Sequence, residues 1–226
     1  MDRQVSGADI RLDGPERPPR SGGPARQLIV FLHGLGADGN DLIGLADHWA
    51  ALLPHAHFTS PHAPEPCDMA PMGRQWFSLQ RRDATSLLGG ARCVAPVLNA
   101  YLDAKLAALG LDGRALALVG FSQGTMTSLY VAYRRLGGVG AVLGYSGRMI
   151  DGERLPDEAV AKPPTLLIHG DADEVVPVES IFDAVQALGS ADIPAQWHIS
   201  QDIGHGIAPD GLEFGGRFLV DTVGRL

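Results

Sequence analysis

The chain has 226 residues, with 18 Lys and Arg against 26 Asp and Glu, for a net charge of -8. One domain suffices for that length, and 45% hydrophobic residues with 19% charged exclude wholesale disorder. An acidic balance without a basic block excludes phosphate-backbone binding as the main task, so nucleic acid is not an expected partner.

The 29 Gly and 16 Pro are too many for a helical bundle and suit frequent sharp strand-to-loop transitions. Cys67 and Cys93 cannot build a metal cluster, and free thiols are expected. No apolar run of signal-peptide length follows Met1, and no stretch approaches the roughly 20 apolar residues that span a bilayer. A cytoplasmic protein without stable membrane insertion is the expectation.

Residues 1–26 read as a flexible arm, because Pro15, Pro18, Pro19 and Pro24 mix with Gly22, Gly23 and arginines without an apolar period. From residue 27 to 226 a single catalytic domain is expected. Leu28 to Leu32 is a β-rich run closed by His33-Gly34, and Asp41 to Leu53 places Leu42, Leu45, Ala46, Trp49, Leu52 and Leu53 at helical spacing. Strands follow at 57–60, 115–119, 141–145, 165–169 and 196–200. Helices are expected at 86–109, 125–136, 178–188 and 211–223. Near-continuous apolar strands alternating with helices predict an α/β fold with a mostly parallel central sheet covered on both faces. Little chain remains for a large lid domain.

In such sheets reactive groups gather in loops beyond the carboxyl ends of strands. Gly120-Phe121-Ser122-Gln123-Gly124 fits G-x-S-x-G between a strand and a helix. The glycines let strand and helix approach, and the tight turn lifts the serine hydroxyl into the open. A serine needs a base, and a histidine needs a third group to hold its tautomer. Downstream, His169-Gly170-Asp171-Ala172-Asp173 follows one strand and Gly204-His205-Gly206 follows the next. The order Ser122, Asp173, His205 is that of an α/β-hydrolase.

Simpler readings compete with each assignment. Aspartates after strands are common turn and cap residues, which applies to Asp171 as well as Asp173. His169 and His198 sit where satisfied core histidines are usual, and His33 beside Gly34 reads as a loop brace. Ser146, in Gly144-Tyr145-Ser146-Gly147, is a rival nucleophile that lacks a following helix and is taken as a residue lining the site. A tetrahedral oxyanion needs waiting donors, and the backbone N–H groups of Leu35 and Gln123 are the expected pair. The chemistry needs no metal and no cofactor.

Together, His33-Gly34-Leu35-Gly36 with Asp38-Gly39-Asn40-Asp41, Arg74-Gln75-Trp76-Phe77, the Ser122 pentapeptide, the run from His169 to Pro177, and Gly204-His205-Gly206-Ile207 resemble the phospholipase/carboxylesterase family. That family includes acyl-protein thioesterases and small bacterial carboxylesterases. The resemblance implies an α/β-hydrolase fold, a Ser122-Asp173-His205 triad, oxyanion donors at Leu35 and Gln123, and often a homodimer. It also casts the stretch from Pro64 to Phe77 as an acyl-pocket cover, placing Met72, Trp76 and Phe77 beside the substrate. Thr125 departs from the small residue the family often has after the elbow. The expected activity is serine carboxylesterase, on a small ester or thioester. Acyl-protein thioesterase or lysophospholipase activity is the alternative, and a catalytically idle receptor or scaffold the remote one.

Overall fold

The computed structural model describes residues 11–225. Seven strands form one sheet in the order β1-β3-β2-β6-β7-β8-β9. They are β1 (Glu16–Arg17), β2 (Gln27–Leu32), β3 (Ala56–Thr59), β6 (Leu116–Phe121), β7 (Ala141–Tyr145), β8 (Thr165–Gly170) and β9 (Ala195–Ser200). All neighbours run parallel except β1, which pairs antiparallel with β3. A separate two-stranded ribbon joins β4 (Glu65–Pro66) to β5 (Arg74–Gln75).

Alternation along the strands sorts the core into two layers. Leu28, Val30 and Leu32 of β2 join Leu116 and Leu118 of β6 on one face, under α3 (Ala84–Leu109), α4 (Gln123–Arg134) and α6 (Glu179–Ser190). Ile29 and Phe31 join Ala117 and Val119 on the other, under α1 (Gly39–Leu42), α2 (Leu45–Trp49) and α7 (Pro209–Thr222). Each such aliphatic or aromatic side chain contributes roughly 1.5–3 kcal/mol when fully buried. A one-residue slip of β2 would exchange the two layers' residues, so the register is strongly specified. A short helix, α5 (Leu155–Glu158), completes the set.

Two expectations need correcting. The arm falls partly outside the described residues, but what is described of it lies along the sheet edge. Ser60 N–H donates to Pro15 C=O and His62 N–H to Asp13 C=O, while Glu16 contacts both His57 Nε2 at 2.6 Å and Lys105 Nζ. Prolines are tolerated there because an edge strand uses only one side of its backbone. The helix expected over 41–53 is broken at Gly44 into α1 and α2, joined by short i-to-i+3 turns such as Ala46 N–H to Ile43 C=O. Glycine inside a helix costs about 1 kcal/mol relative to alanine. Helix α3, by contrast, runs unbroken through Pro96, capped by the Asp83 carboxylate on Ser86 N–H and closed by left-handed Gly110. Among the described residues no helix is long and apolar enough to cross a membrane.

Candidate active site

Ser122 lies between β6 and α4 with φ 52° and ψ −114°, a backbone conformation that few side chains adopt. It is over-determined by its neighbours. Ser122 N–H donates to Tyr145 C=O at 2.9 Å, and a Cβ at Gly124 would collide with the carbonyl of Leu32. Helix α4 can therefore start only by passing against the end of β2. Thr125, the departure noted above, places its methyl in space left by Gly144 and Gly147 and donates its hydroxyl to Tyr145 C=O at 2.8 Å. The larger residue is accommodated without moving the elbow.

Asp173 and His205 come from the loops after β8 and β9. His205 Nδ1 is 2.7 Å from Asp173 Oδ2, which fixes the ring proton on Nδ1 and leaves Nε2 with a free lone pair. Asp173 Oδ1 accepts from Val175 N–H and Val176 N–H, each at 2.9 Å. Burial alone would raise this carboxyl's pKa, but the two amides and His205 outweigh it and hold the group below its ordinary value. His169 Nε2 donates to Val176 C=O at 2.9 Å, which stiffens the acidic loop. It is the satisfied core histidine expected of a strand end. Asp171 is exposed. The Phe121 ring packs on His205 at 4.9 Å between centroids.

The loop 33–37 is set by a network of short links. His33 Nδ1 donates to Gly34 C=O at 2.8 Å and its Nε2 accepts from Ala63 N–H at 3.1 Å, so the ring is neutral and braces the loop. Burial lowers its pKa. Gly36 N–H donates to Arg74 C=O, and Arg74 N–H to Ala37 C=O. The Arg74 guanidinium reaches the carbonyls of Ala63 and Pro64. Trp76 Nε1 donates to His33 C=O at 2.9 Å. The N–H groups of Leu35 and Gln123 donate to no acceptor among the described residues.

The side chain of Gln123 was not singled out by sequence reasoning. Fully buried, it accepts from Trp76 N–H at 3.0 Å and donates to Phe77 C=O at 2.6 Å. One amide thus clamps the 74–77 segment, and through it the 33–37 loop, onto the elbow. A glutamine at the variable position of G-x-S-x-G carries no sequence signal for this, because its partners are backbone atoms about 46 residues away.

Ser122, His205 and Leu35 line one cleft of about 210 Å³, walled by Leu79, Leu87, Met126, Val175, Val176 and Pro177. None of the residues expected at the substrate pocket lines it, which corrects that part of the sequence reading. Met72 is 81% exposed, whereas Trp76 and Phe77 are buried and act behind the cleft as the support just described. Ser146 is buried too, and its hydroxyl turns to Gly206 C=O at 3.4 Å, so it steadies the histidine loop. Aromatic residues near a pocket more often fill core than touch ligand, and the walls here come from Met126 and mostly aliphatic residues whose spacing gave no cue. No hydrogen bond joins Ser122 to His205 in this structure. Such contacts often tighten only when substrate is bound.

The phospholipase/carboxylesterase family model matches residues 19–222. The chain belongs to this family. It is similar to the esterase YpfH of Escherichia coli strain K12, 31% identical over 192 residues, covering 84% of this chain and 81% of that protein. A likeness to acyl-protein thioesterase 1 of Gibberella zeae is weaker, 24% over 202 residues, with 82% and 86% covered. Among solved structures, that of esterase PE8 superposes with a TM-score of 0.89 at 42% identity, covering 94% of this chain and 99% of that one. The α/β-hydrolase fold is thereby established, and the protein is a hydrolase acting on esters or thioesters.

Proposed function

We propose that the protein is a serine carboxylesterase for small esters, working through an acyl-enzyme with Ser122 as nucleophile, His205 as base and Asp173 as its orienting carboxylate. The observation that carries this reading is the 2.7 Å bond from His205 Nδ1 to Asp173, which leaves Nε2 as the base in the cleft shared with Ser122. Nε2 takes the Ser122 proton as Oγ adds to the ester carbonyl. The amides of Leu35 and Gln123 receive the oxyanion, each worth about 3 kcal/mol in the transition state. Collapse of the tetrahedral species breaks the bond to the alcohol, which leaves with the proton from Nε2. Water then gives a proton to Nε2 as it adds to the acyl-enzyme, and collapse of the second tetrahedral species releases the acid while Ser122 Oγ takes that proton back from Nε2.

Small esters are favoured over long acyl chains by the size of the cleft, about 210 Å³, below the roughly 300–1,000 Å³ of sites for drug-sized ligands. A fluorophosphonate should label Ser122, and Ser122→Ala should lose both label and ester turnover. Undiminished turnover in that variant would overturn the assignment. Competition among phenyl acetate, a long-chain acyl thioester and a lysophospholipid decides the substrate class. Preference for either long-chain substrate would shift the reading to thioesterase or lysophospholipase.

A further inference from the structure

The cleft beside Ser122 has two formal charges at its lip, and both are positive. Arg82 precedes the cap of α3 and Arg148 follows β7, and both line the cleft with Ser122 and His205. The acids closest in sequence are engaged elsewhere. Asp83 holds Arg81 and caps α3, and Asp151 faces Arg134 and Arg154. Among the described residues, Arg82 and Arg148 form no ion pair.

Guanidinium groups stay charged at any working pH and present a planar fork of donors that matches a carboxylate. Like charges lining an apolar cleft concentrate their field there, and they do so in a chain whose net charge is -8. A second depression, lined by Thr85, Met149 and Arg154 among others, shares Leu87 and Arg148 with the cleft. Arg148 thus stands between the cleft and this depression, where Asp151 faces Arg154, so the free positive charge is on the side of Ser122.

We propose that Arg82 and Arg148 make this a site for anionic esters, in which a carboxylate on the acyl or the alcohol side of the substrate is held by the two guanidinium groups while Ser122 attacks the ester carbonyl. The inference rests on the serine esterase reading and names its substrate class. A carboxylate gains charge-assisted contacts from guanidinium groups that a neutral group cannot.

Two matched pairs of probes test it. Monoethyl adipate against ethyl 6-methylheptanoate places the carboxylate on the acyl side, and 4-acetoxybenzoate against 4-acetoxybenzamide places it on the alcohol side. The anionic member of at least one pair should show the higher kcat/KM by about tenfold or more, the worth of one charge-assisted contact. That ratio should fall by about tenfold in Arg82→Gln and in Arg148→Gln, and should shrink in about 0.5 M NaCl, where the Debye length is only a few ångströms. Ratios at or below one in the wild type, unmoved by either substitution, would overturn the proposal. Fluorophosphonate labelling of Ser122 and turnover of phenyl acetate report separately on the esterase reading. Should those fail, calorimetric titration of adipate decides the anion site: binding weakened at least about tenfold in the double Arg82→Gln, Arg148→Gln variant supports it, and no binding to the wild type overturns it.

Discussion

Asp173 divides its two oxygens between different tasks, giving Oδ2 to His205 Nδ1 at 2.7 Å and Oδ1 to the amides of Val175 and Val176. Orientation of the His205 ring and closure of the acidic loop are therefore one structural event. Asp173→Asn keeps the shape but can offer an N–H where the imidazole needs an acceptor, so kcat should fall by roughly 10⁴ with KM little changed. The same substitution tests a stability effect. Because the folded carboxyl titrates below its ordinary value of 3.8, its stabilisation is full above that pH and is lost as pH falls from there toward the lowered folded value. Denaturant midpoints of wild type and variant should converge across that acid range.

Gln123→Ala separates the support of the 33–37 loop from the proposed oxyanion donor, since the backbone N–H is retained. It leaves Trp76 N–H and Phe77 C=O buried without their partner, which costs about 2–4 kcal/mol. At about 2–4 °C per kcal/mol for a chain of this size, a drop in Tm should be plain. A fall in kcat larger than any rise in KM is expected as the 33–37 loop loosens. An unchanged kcat would mean that the Gly36–Arg74 ladder holds the loop unaided.

His33 supplies a second pH test of opposite location in the chain. Burial lowers its pKa from 6.5, so the unfolded chain binds the proton first as pH falls. Stability contributed by the neutral ring is full above pH 6.5 and declines from there down to the lowered folded pKa, by at most about 1.4 kcal/mol per pH unit. His33→Gln should flatten the slope of unfolding free energy against pH in that window. An unaltered slope would place the proton uptake on another group.

Deleting residues 1–26 should lower Tm and increase light scattering on heating. The deletion removes β1 and uncovers β3, whose freed edge becomes a template for pairing with other chains. A truncated protein as stable and monodisperse as the full chain would restore the reading of this segment as a mere arm.

Much of this was legible in the sequence because the strands are continuous apolar runs and the turn chemistry is local. The stretch 141–145 matches β7 as drawn, and the strand-turn-helix at Ser122 follows from five adjacent residues. What stayed hidden depends on contacts between distant segments. Glu16 and Arg17 read as loop until β3 is placed beside them. Gln123 is an unremarkable polar residue until Trp76 and Phe77 arrive. The family resemblance drew Trp76 and Phe77 toward the substrate, whereas their burial makes them the backing of the loop. Leu79, Met126 and Val175 wall the cleft through tertiary proximity alone, which neither helical nor strand spacing encodes.

The cleft draws Leu35, Ser122, Val176 and His205 from four loops spread over most of the chain. Loop-closure entropy must be met for all four before any of them can act together, and the long sequence separations place this fold among the slower folders. No partial fold that lacks β9 can present His205. Recovery of ester turnover during refolding is therefore a late reporter, rising with the last strand to dock rather than with collapse or helix formation.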